Sequence, residues 1–377
     1  MENKKKIFFP NLDGWRFVAF FAVFFHHSFS TQFSYILEDP TYKFVKGLNK
    51  HGSLGVDFFF VLSGFLIIYL LISERQLTGK IDVKNFYVRR ILRIFPLYYF
   101  CVAFGFVVFP FLKRLLGAVP NENANPLYYI FFLSNIDIIN KGTIPDASML
   151  GILWSVSVEE QFYLTIPFLL LVIPLRFYKY VFGLVILMSW IFRARYINNY
   201  NVLTFHSFAF VGNLAIGGLI AYYSATSEKF VKFFEDLNKN IIRVLYLSVI
   251  LIFFFRYQIF YSPFLQVFDT AIIAVLFAMI IMEQNYSNNS LFKMKNNRIF
   301  TKLGKYTYGL YCLHLIATLI VLQITSKLKL NGELWQVLLL EPPLILGLSI
   351  AIAYLSYEFY EKPFIKLKNR FSVITKG

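Results

Sequence analysis

Apolar stretches of 13 to 23 residues alternate with short polar segments along the whole chain. There are eleven of them, at residues 12–33, 53–73, 94–112, 127–139, 152–174, 180–192, 205–224, 241–257, 264–282, 306–326 and 335–357. A helix that crosses a bilayer needs about 20 mostly apolar residues. Most of the stretches therefore predict transmembrane helices, and 180–192 can borrow flanking residues. The stretch 127–139 is too short to cross.

The distribution of Lys and Arg decides how the short stretch is placed. If 127–139 does not cross and the N-terminus is inside, 26 of the 37 Lys and Arg residues lie on the cytoplasmic side. If it crosses, only 16 do. Because cytoplasmic loops carry an excess of positive charge, we predict an all-α, polytopic transmembrane helix bundle. It has about ten spans and both termini in the cytoplasm, with 127–139 re-entrant or at the outer surface.

Composition narrows the class of protein further. Hydrophobic residues make up 58% of the chain and charged residues 15%, which excludes an ordinary soluble domain. The net charge of +16 is then expected to orient loops in the lipid bilayer, and no nucleic acid partner is expected. With no internal repeat or linker, we expect residues 1–377 to be one membrane domain with an uncleaved first span and no fused soluble domain. Cys101 and Cys312 fall in apolar stretches, so we expect neither a disulfide nor a metal site.

The first apolar helix carries ionisable residues, which are costly in a membrane. Arg16 and His27 are eleven residues apart, about three turns plus 20°, so they share a face roughly 16 Å apart along the axis. His26 lies about 80° from Arg16. Both residues also have a purely structural interpretation. Arg16 can be an anchor at the membrane surface that pairs with Asp13 at i,i+3, and His27 can be a structural histidine. Two aligned ionisable groups are more typical of a functional path.

The stretch "LDGWRFVAFFAVFFHH" resembles the opening of the acyltransferase-3 family of integral membrane acyltransferases. Five further motifs of that family follow in the expected order: "GVDFFFVLSGFLI", "FYVRRILRIFPLYY", "WSVSVEEQFYL", "GKYTYGLYCLHLI" and "YEFYEKPF". Arg16 and His27 match the family's hallmark of Arg, ten residues, then His. The resemblance implies a bacterial plasma membrane enzyme that moves an acyl group from acyl-CoA, most often acetyl-CoA, to a hydroxyl of a cell-surface or lipid-linked carbohydrate.

Arg89, Arg90 and Arg93 cluster where the third span leaves the cytoplasm. Their i,i+3 and i,i+4 spacings place Arg93 on a face shared with each of the others. Guanidinium groups suit phosphate, and coenzyme A carries phosphates. Positive-inside anchoring explains the cluster equally well. The resemblance favours donor binding, because Arg90 and Arg93 match an Arg-x-x-Arg pair linked to acyl-CoA.

The motif "SVSVEEQFYL" contains two adjacent carboxylates. Ser157 and Glu160 fit a capping box at a helix start, which leaves Glu159 without a structural role. Glu159 also matches a glutamate of the family pattern, and we expect it to orient His27. Four more residues are expected to line the site: Asp13, Asp57, Ser63 and His314.

These residues suggest a mechanism in which donor binding and acyl transfer occur at different depths in the membrane. Acyl-CoA docks from the cytoplasm at the arginines, its arm passes Arg16, and His27 acts as general base on the acceptor hydroxyl. A covalent acyl-histidine intermediate is the competing route. The competing class of protein is a transporter, flippase or polymerase of lipid-linked glycans. Such proteins favour discontinuous helices and repeat symmetry, and the sequence contains no repeat.

Overall fold

A computed structural model describes residues 9–372, which form helices joined by short loops, with no strand in this range. The α-helices are α1 (Pro10–His27), α2 (Ser34–Leu37), α3 (Pro40–Asn49), α4 (Leu54–Thr78), α5 (Val83–Ala103), α6 (Phe109–Leu115), α7 (Pro126–Ile130), α8 (Ser134–Lys141), α9 (Ser148–Gly151), α10 (Leu153–Val172), α11 (Tyr178–Arg195), α12 (Tyr200–Phe205), α13 (Ser207–Thr226), α14 (Glu228–Glu235), α15 (Lys239–Ile259), α16 (Pro263–Tyr286), α17 (Arg298–Gly304), α18 (Thr307–Lys327), α19 (Glu341–Leu355) and α20 (Lys362–Lys368). Three π-helical segments lie beside them, Phe104–Val108, Gln336–Leu340 and Ser356–Glu361.

Nine helical segments among residues 9–372 are long and apolar enough to cross a membrane, which confirms a polytopic all-α protein. They are Pro40–Thr78, Val83–Leu115, Ser148–Val172, Leu175–Arg195, Tyr200–Thr226, Lys239–Ile259, Pro263–Tyr286, Thr307–Lys327 and Gln336–Phe371. The one remaining predicted span, 12–33, corresponds to α1, which has 18 residues. It is not among the nine because its ionisable and amide side chains lower its mean hydropathy. The side of the membrane that each terminus faces stays a prediction.

The short stretch 127–139 does not form a membrane-spanning helix. It is divided between α7 and α8, and Phe132 between them adopts a left-handed backbone conformation (φ 54°). The Tyr98 hydroxyl donates a hydrogen bond of 2.7 Å to the carbonyl of Tyr129, and the Phe132 ring stacks on Tyr98 at 4.2 Å. The stretch therefore packs against α5, and its exclusion from the spans is confirmed.

Helix α4 lies at the centre of the bundle, against α1, α10, α13 and α16. Its contact with α13 is close because glycines face backbone on both sides. A Cβ atom added to Gly64 would lie 2.0 Å from the carbonyl oxygen of Leu214, and one added to Gly217 would lie 2.1 Å from that of Val61. Small residues allow such close approach of helices in membranes. Gly64 therefore permits the close packing of α4 on α13.

Five polar residues form a buried cluster across five helices, here called the Asp57 cluster. Asn213 donates a hydrogen bond of 2.9 Å to Asp57, and Arg256 lies 3.7 Å from the other oxygen of Asp57. Arg256 and Arg193 both pair with Asp269, at 3.0 and 2.6 Å. The expectation that Asp57 lines the site is therefore wrong for the cavity described below, because its carboxylate is held by α13 and α15.

Candidate active site

A cavity of about 500 Å³ runs beside α4. Its α4 lining extends from Val56 to Glu74, which is about 27 Å at 1.5 Å per residue. The other walls are provided by the first turns of α1, by α5, by α10, by the start of α18 and by residues 365–372. We call this space the α4 cavity. Its length along the helix is comparable with the thickness of a bilayer core.

The three predicted arginines all line the α4 cavity, and two of them have carboxylate partners. Arg89 is 2.9 Å from Glu74, near the end of α4, and also donates to the carbonyl of Phe371 at 2.8 Å. Arg93 is 3.6 Å from Glu361, a separation longer than a hydrogen bond. We call this end of the bundle the arginine end.

Arg90 differs from its two neighbours because no carboxylate of the described residues lies within ion-pair distance of it, although Glu159 and Glu160 interact with its charge from farther away. Among residues 9–372 it makes neither a hydrogen bond nor an ion pair, and its Nε is buried without a partner. Its guanidinium lies 5.8 Å from the ring centre of Phe86 and 5.7 Å from that of Tyr163. Aromatic rings support a cation without occupying its hydrogen-bond donors. Arg90 can therefore present free donors to an anionic group in the cavity.

Glu159 lines the middle of the α4 cavity, where α10 faces α4. Its two oxygens accept hydrogen bonds from Ser63, at 2.6 Å, and from Tyr163, at 3.2 Å. Ser63, predicted as a lining residue, is thus brought to Glu159. The expected contact of Glu159 with His27 is not present in this structure, because Glu159 lines the α4 cavity and His27 does not.

The predicted capping box at Ser157 is wrong. Helix α10 begins at Leu153, so Ser157 lies inside the helix, and its hydroxyl pairs with that of Ser134 at 2.7 Å. Glu160 consequently has no capping role. Its Oε1 is buried and, within the described part of the chain, has no hydrogen-bond partner.

Arg16 lines the α4 cavity and pairs with Asp13 at i,i+3, as the sequence suggested; Asp13 lines the cavity as well. His27 lies eleven residues further along α1 and does not line this space. Its imidazole instead faces α18, with ring centres of His27 and His314 5.4 Å apart. The shared face of Arg16 and His27 therefore points into the bundle, but the two residues occupy different compartments.

The far end of the α4 cavity is closed by two hydroxyl groups. The hydroxyls of Ser155 and Tyr311, which both line the cavity, are 2.6 Å apart. His314 follows Tyr311 by three residues, so it lies about one turn beyond the cavity on α18. The histidine end of the bundle, defined by His27 and His314, does not line the cavity, and the ring of the lining residue Tyr311 is centred 6.4 Å from that of His314.

Several cavity residues were not anticipated from the sequence. Glu74 was assigned to a loop, although α4 continues to Thr78. Glu361, which lies beside the cavity lining, approaches Arg93, whereas Glu358 pairs with Lys362. Tyr311 and Glu361 both lie inside motifs that resemble the family, and these motifs were the signal in the sequence that could have identified them. Among residues 9–372, no group of three or more His, Cys, Asp and Glu side chains is arranged to hold a metal ion.

Comparison with known proteins shows the family of the chain. A family model described as an acyltransferase domain, that of the acyltransferase-3 family, matches residues 9–358. The chain belongs to this family. With its apolar helices, this acyltransferase is an integral membrane protein.

The relatives of this acyltransferase include proteins provisionally named O-acetyltransferase in Staphylococcus aureus strains COL and MW2. Each is 27% identical over 393 residues, covering 96% of this chain. The chain spans 58% of the length of these relatives. O-acetyltransferase OatA of S. aureus strain NCTC 8325 is 33% identical over 176 residues, 45% of this chain and 26% of OatA. No solved structure matches the chain.

Proposed function

We propose that this protein is an O-acetyltransferase of the bacterial plasma membrane. It transfers an acetyl group from acetyl-CoA to a hydroxyl of a cell-surface or lipid-linked carbohydrate. The family of the chain and the names of its relatives support acyl transfer to oxygen. The observation that carries the donor assignment is the Arg90 guanidinium, which among residues 9–372 has neither a hydrogen bond nor an ion pair, in a cavity long enough for an extended acyl carrier.

The arginine end holds the donor in this proposal and faces the cytoplasm, where acyl-CoA is found. Arg90 binds phosphate directly, while Arg89 and Arg93 add positive charge beside it. The thioester arm extends along α4, past Arg16 and Glu159. The acetyl group then lies near Tyr311, at the closed end of the cavity.

The histidine end holds the acceptor in this proposal. His27 removes the proton from the acceptor hydroxyl as that oxygen attacks the thioester carbonyl carbon. The new C–O bond forms, the C–S bond breaks, and the proton passes from His27 to the departing sulfur. Because the imidazole does not line the cavity, the Tyr311 side chain moves aside during transfer. In the alternative route the imidazole of His27 first takes the acetyl group itself.

Labelled acetyl-CoA tests the proposed function. Membranes containing the protein are incubated with acetyl-labelled acetyl-CoA and lipid-linked or surface glycans, and label in the glycan is counted. We expect label transfer with the unmodified chain and none with His27→Ala, while Arg93→Ala chiefly raises the KM for acetyl-CoA. Movement of unlabelled glycan across the membrane without label transfer would instead identify a transporter.

A further inference from the structure

We infer that His314 is the positioning residue for His27, and that its Nε2 accepts a hydrogen bond from the His27 imidazole during acyl transfer. This inference rests on the proposed function. A residue of α18 then orients His27, which is the role that the sequence suggested for Glu159.

The tautomer of His314 is fixed by its surroundings. The side chain is fully buried, and its Nδ1 lies 2.8 Å from the carbonyl oxygen of Tyr311 and 3.2 Å from that of Leu310. A carbonyl oxygen only accepts hydrogen bonds, so Nδ1 carries the proton. The neutral ring then has its lone pair on Nε2. Within residues 9–372 this buried Nε2 has no hydrogen-bond partner.

The unpartnered atom belongs to the ring that faces His27. The two ring centres are 5.4 Å apart and the planes are inclined by 44°. At this separation, a ring nitrogen of His27 that points at Nε2 lies within hydrogen-bond distance of it. A buried acceptor without a partner is unfavourable, so such a contact is favoured.

The other polar groups near His27 are occupied elsewhere. His26 is directed to α3, where its Nδ1 lies 3.0 Å from the carbonyl oxygen of Asn49. Lys46 of α3 donates to the carbonyl oxygens of Ser28 and Phe29, each at 3.3 Å. The ring centre of His26 is 5.0 Å from that of His27, but His26 is only partly buried, so its Nε2 can bond to water. His314 is thus the neighbour whose buried acceptor has no partner among the described residues.

The consequence is a defined direction of proton movement. When one N–H of His27 is donated to His314, the opposite ring nitrogen carries the lone pair and can receive the hydroxyl proton. A base held by a third group in this way is a recurrent arrangement in acyl transfer. The carbonyl of Tyr311, in turn, holds His314. The same residue that closes the cavity with its side chain therefore orients the base with its backbone.

Three substitutions of His314 separate this role from simple packing. A glutamine side chain places an amide oxygen near the position of Nε2, whereas asparagine reaches only the position of Nδ1, and leucine provides no acceptor. We expect kcat to fall about 100-fold in H314N and H314L, within the range of general-base effects, and by about tenfold or less in H314Q. The KM for acetyl-CoA is expected to change less than twofold. Folding is checked by thermal unfolding of each purified variant.

His51→Leu is the matched control, because His51 is also buried but does not line the cavity or contact His27. Its kcat is expected to stay near that of the unmodified protein. If the unmodified protein transfers no acetyl group, the proposed function fails. If it does transfer, and folded H314N is as active as the unmodified protein or folded H314Q is as impaired as H314N, the positioning role fails alone.

Discussion

The hydroxyl of Ser63 donates a 2.6 Å hydrogen bond to the carboxylate of Glu159 and so joins α4 to α10 inside the cavity. The two residues are 96 positions apart in the sequence. A hydrogen bond to a charged, half-buried group is worth about 1.5–3 kcal/mol. The pair therefore fixes the position of the Glu159 carboxyl group in the space that the proposed mechanism gives to the donor's acyl arm.

Glu159→Gln tests whether a charge at this position serves the reaction. The amide keeps the shape and can still accept from Ser63, but it carries no charge. We expect kcat for acetyl transfer to fall by at least about tenfold, and Ser63→Ala to cause a smaller loss, because one charge-assisted hydrogen bond is removed. Transfer of label from acetyl-CoA to glycan is the measurement.

Ser349→Ala is the control for this pair. Ser349 is fully buried and bonds only within its own helix, to the carbonyl of Ile345 at 2.7 Å. Its variant should retain normal transfer. Equal activity of the Glu159→Gln variant and the unmodified protein would show that the Ser63–Glu159 contact only joins helices.

Arg90 is expected to provide most of the phosphate contact. Replacing it by alanine should raise the KM for acetyl-CoA by about 10- to 100-fold, the effect of losing charge-assisted hydrogen bonds. Arg90→Lys should recover only part of the affinity, because lysine lacks the planar fork. Lys84→Ala removes a positive charge from the same end of α5 without altering the cavity lining, and its KM should not change. A KM shift of equal size in Lys84→Ala would indicate a general charge effect.

Glu361 and Arg93 are expected to act as one unit in donor binding. Glu361→Gln frees Arg93 from the carboxylate that holds it at the cavity wall, and we expect the KM for acetyl-CoA to rise by about tenfold. Arg93→Ala should have a similar effect, and the double variant should be little worse than either. Additive effects in this cycle would contradict the coupling. Glu358→Gln is the control on the same π-helical segment, because Glu358 pairs with Lys362 instead.

The close packing of α4 on α13 predicts a stability effect that is independent of catalysis. Gly64→Ala places a Cβ against the Leu214 carbonyl, and overpacking of this kind costs roughly 1–3 kcal/mol. The midpoint of thermal unfolding in detergent should fall. Gly347→Ala, on α19, meets no atom within 4 Å and removes a helical glycine, so it should be neutral or stabilising by up to about 1 kcal/mol. If the unfolding midpoint of Gly64→Ala is unchanged, α4 and α13 can move apart to accept the extra methyl group without loss of stability.

The sequence predicted those features that depend on neighbours along the chain. The length of the apolar stretches identified the spans, and the distribution of Lys and Arg excluded 127–139 from them. The i,i+3 spacing suggested the pair of Asp13 and Arg16, and helical periodicity placed Arg16 and His27 on one inward face. The family motifs selected three arginines that do line one cavity.

Contacts between distant residues could not be read in this way. Glu74 and Glu361 reach the arginines from other helices, and Asp57 meets Asn213 and Arg256 across much of the sequence. Periodicity gives the direction of a side chain but not the element that faces it. The capping box failed for a local reason, because α10 begins one turn earlier than the Ser-x-x-Glu pattern indicates.

The Asp57 cluster has a consequence for how this acyltransferase moves. It ties α4, α11, α13, α15 and α16 together through opposite charges, and separating such charges in an apolar interior costs several kcal/mol. That half of the protein is therefore a stationary frame. In the proposed mechanism, a passage between donor and acceptor therefore opens by displacement of helices that the Asp57 cluster does not hold, such as α10 and α18, against those that it does: one wall stays fixed while the other slides.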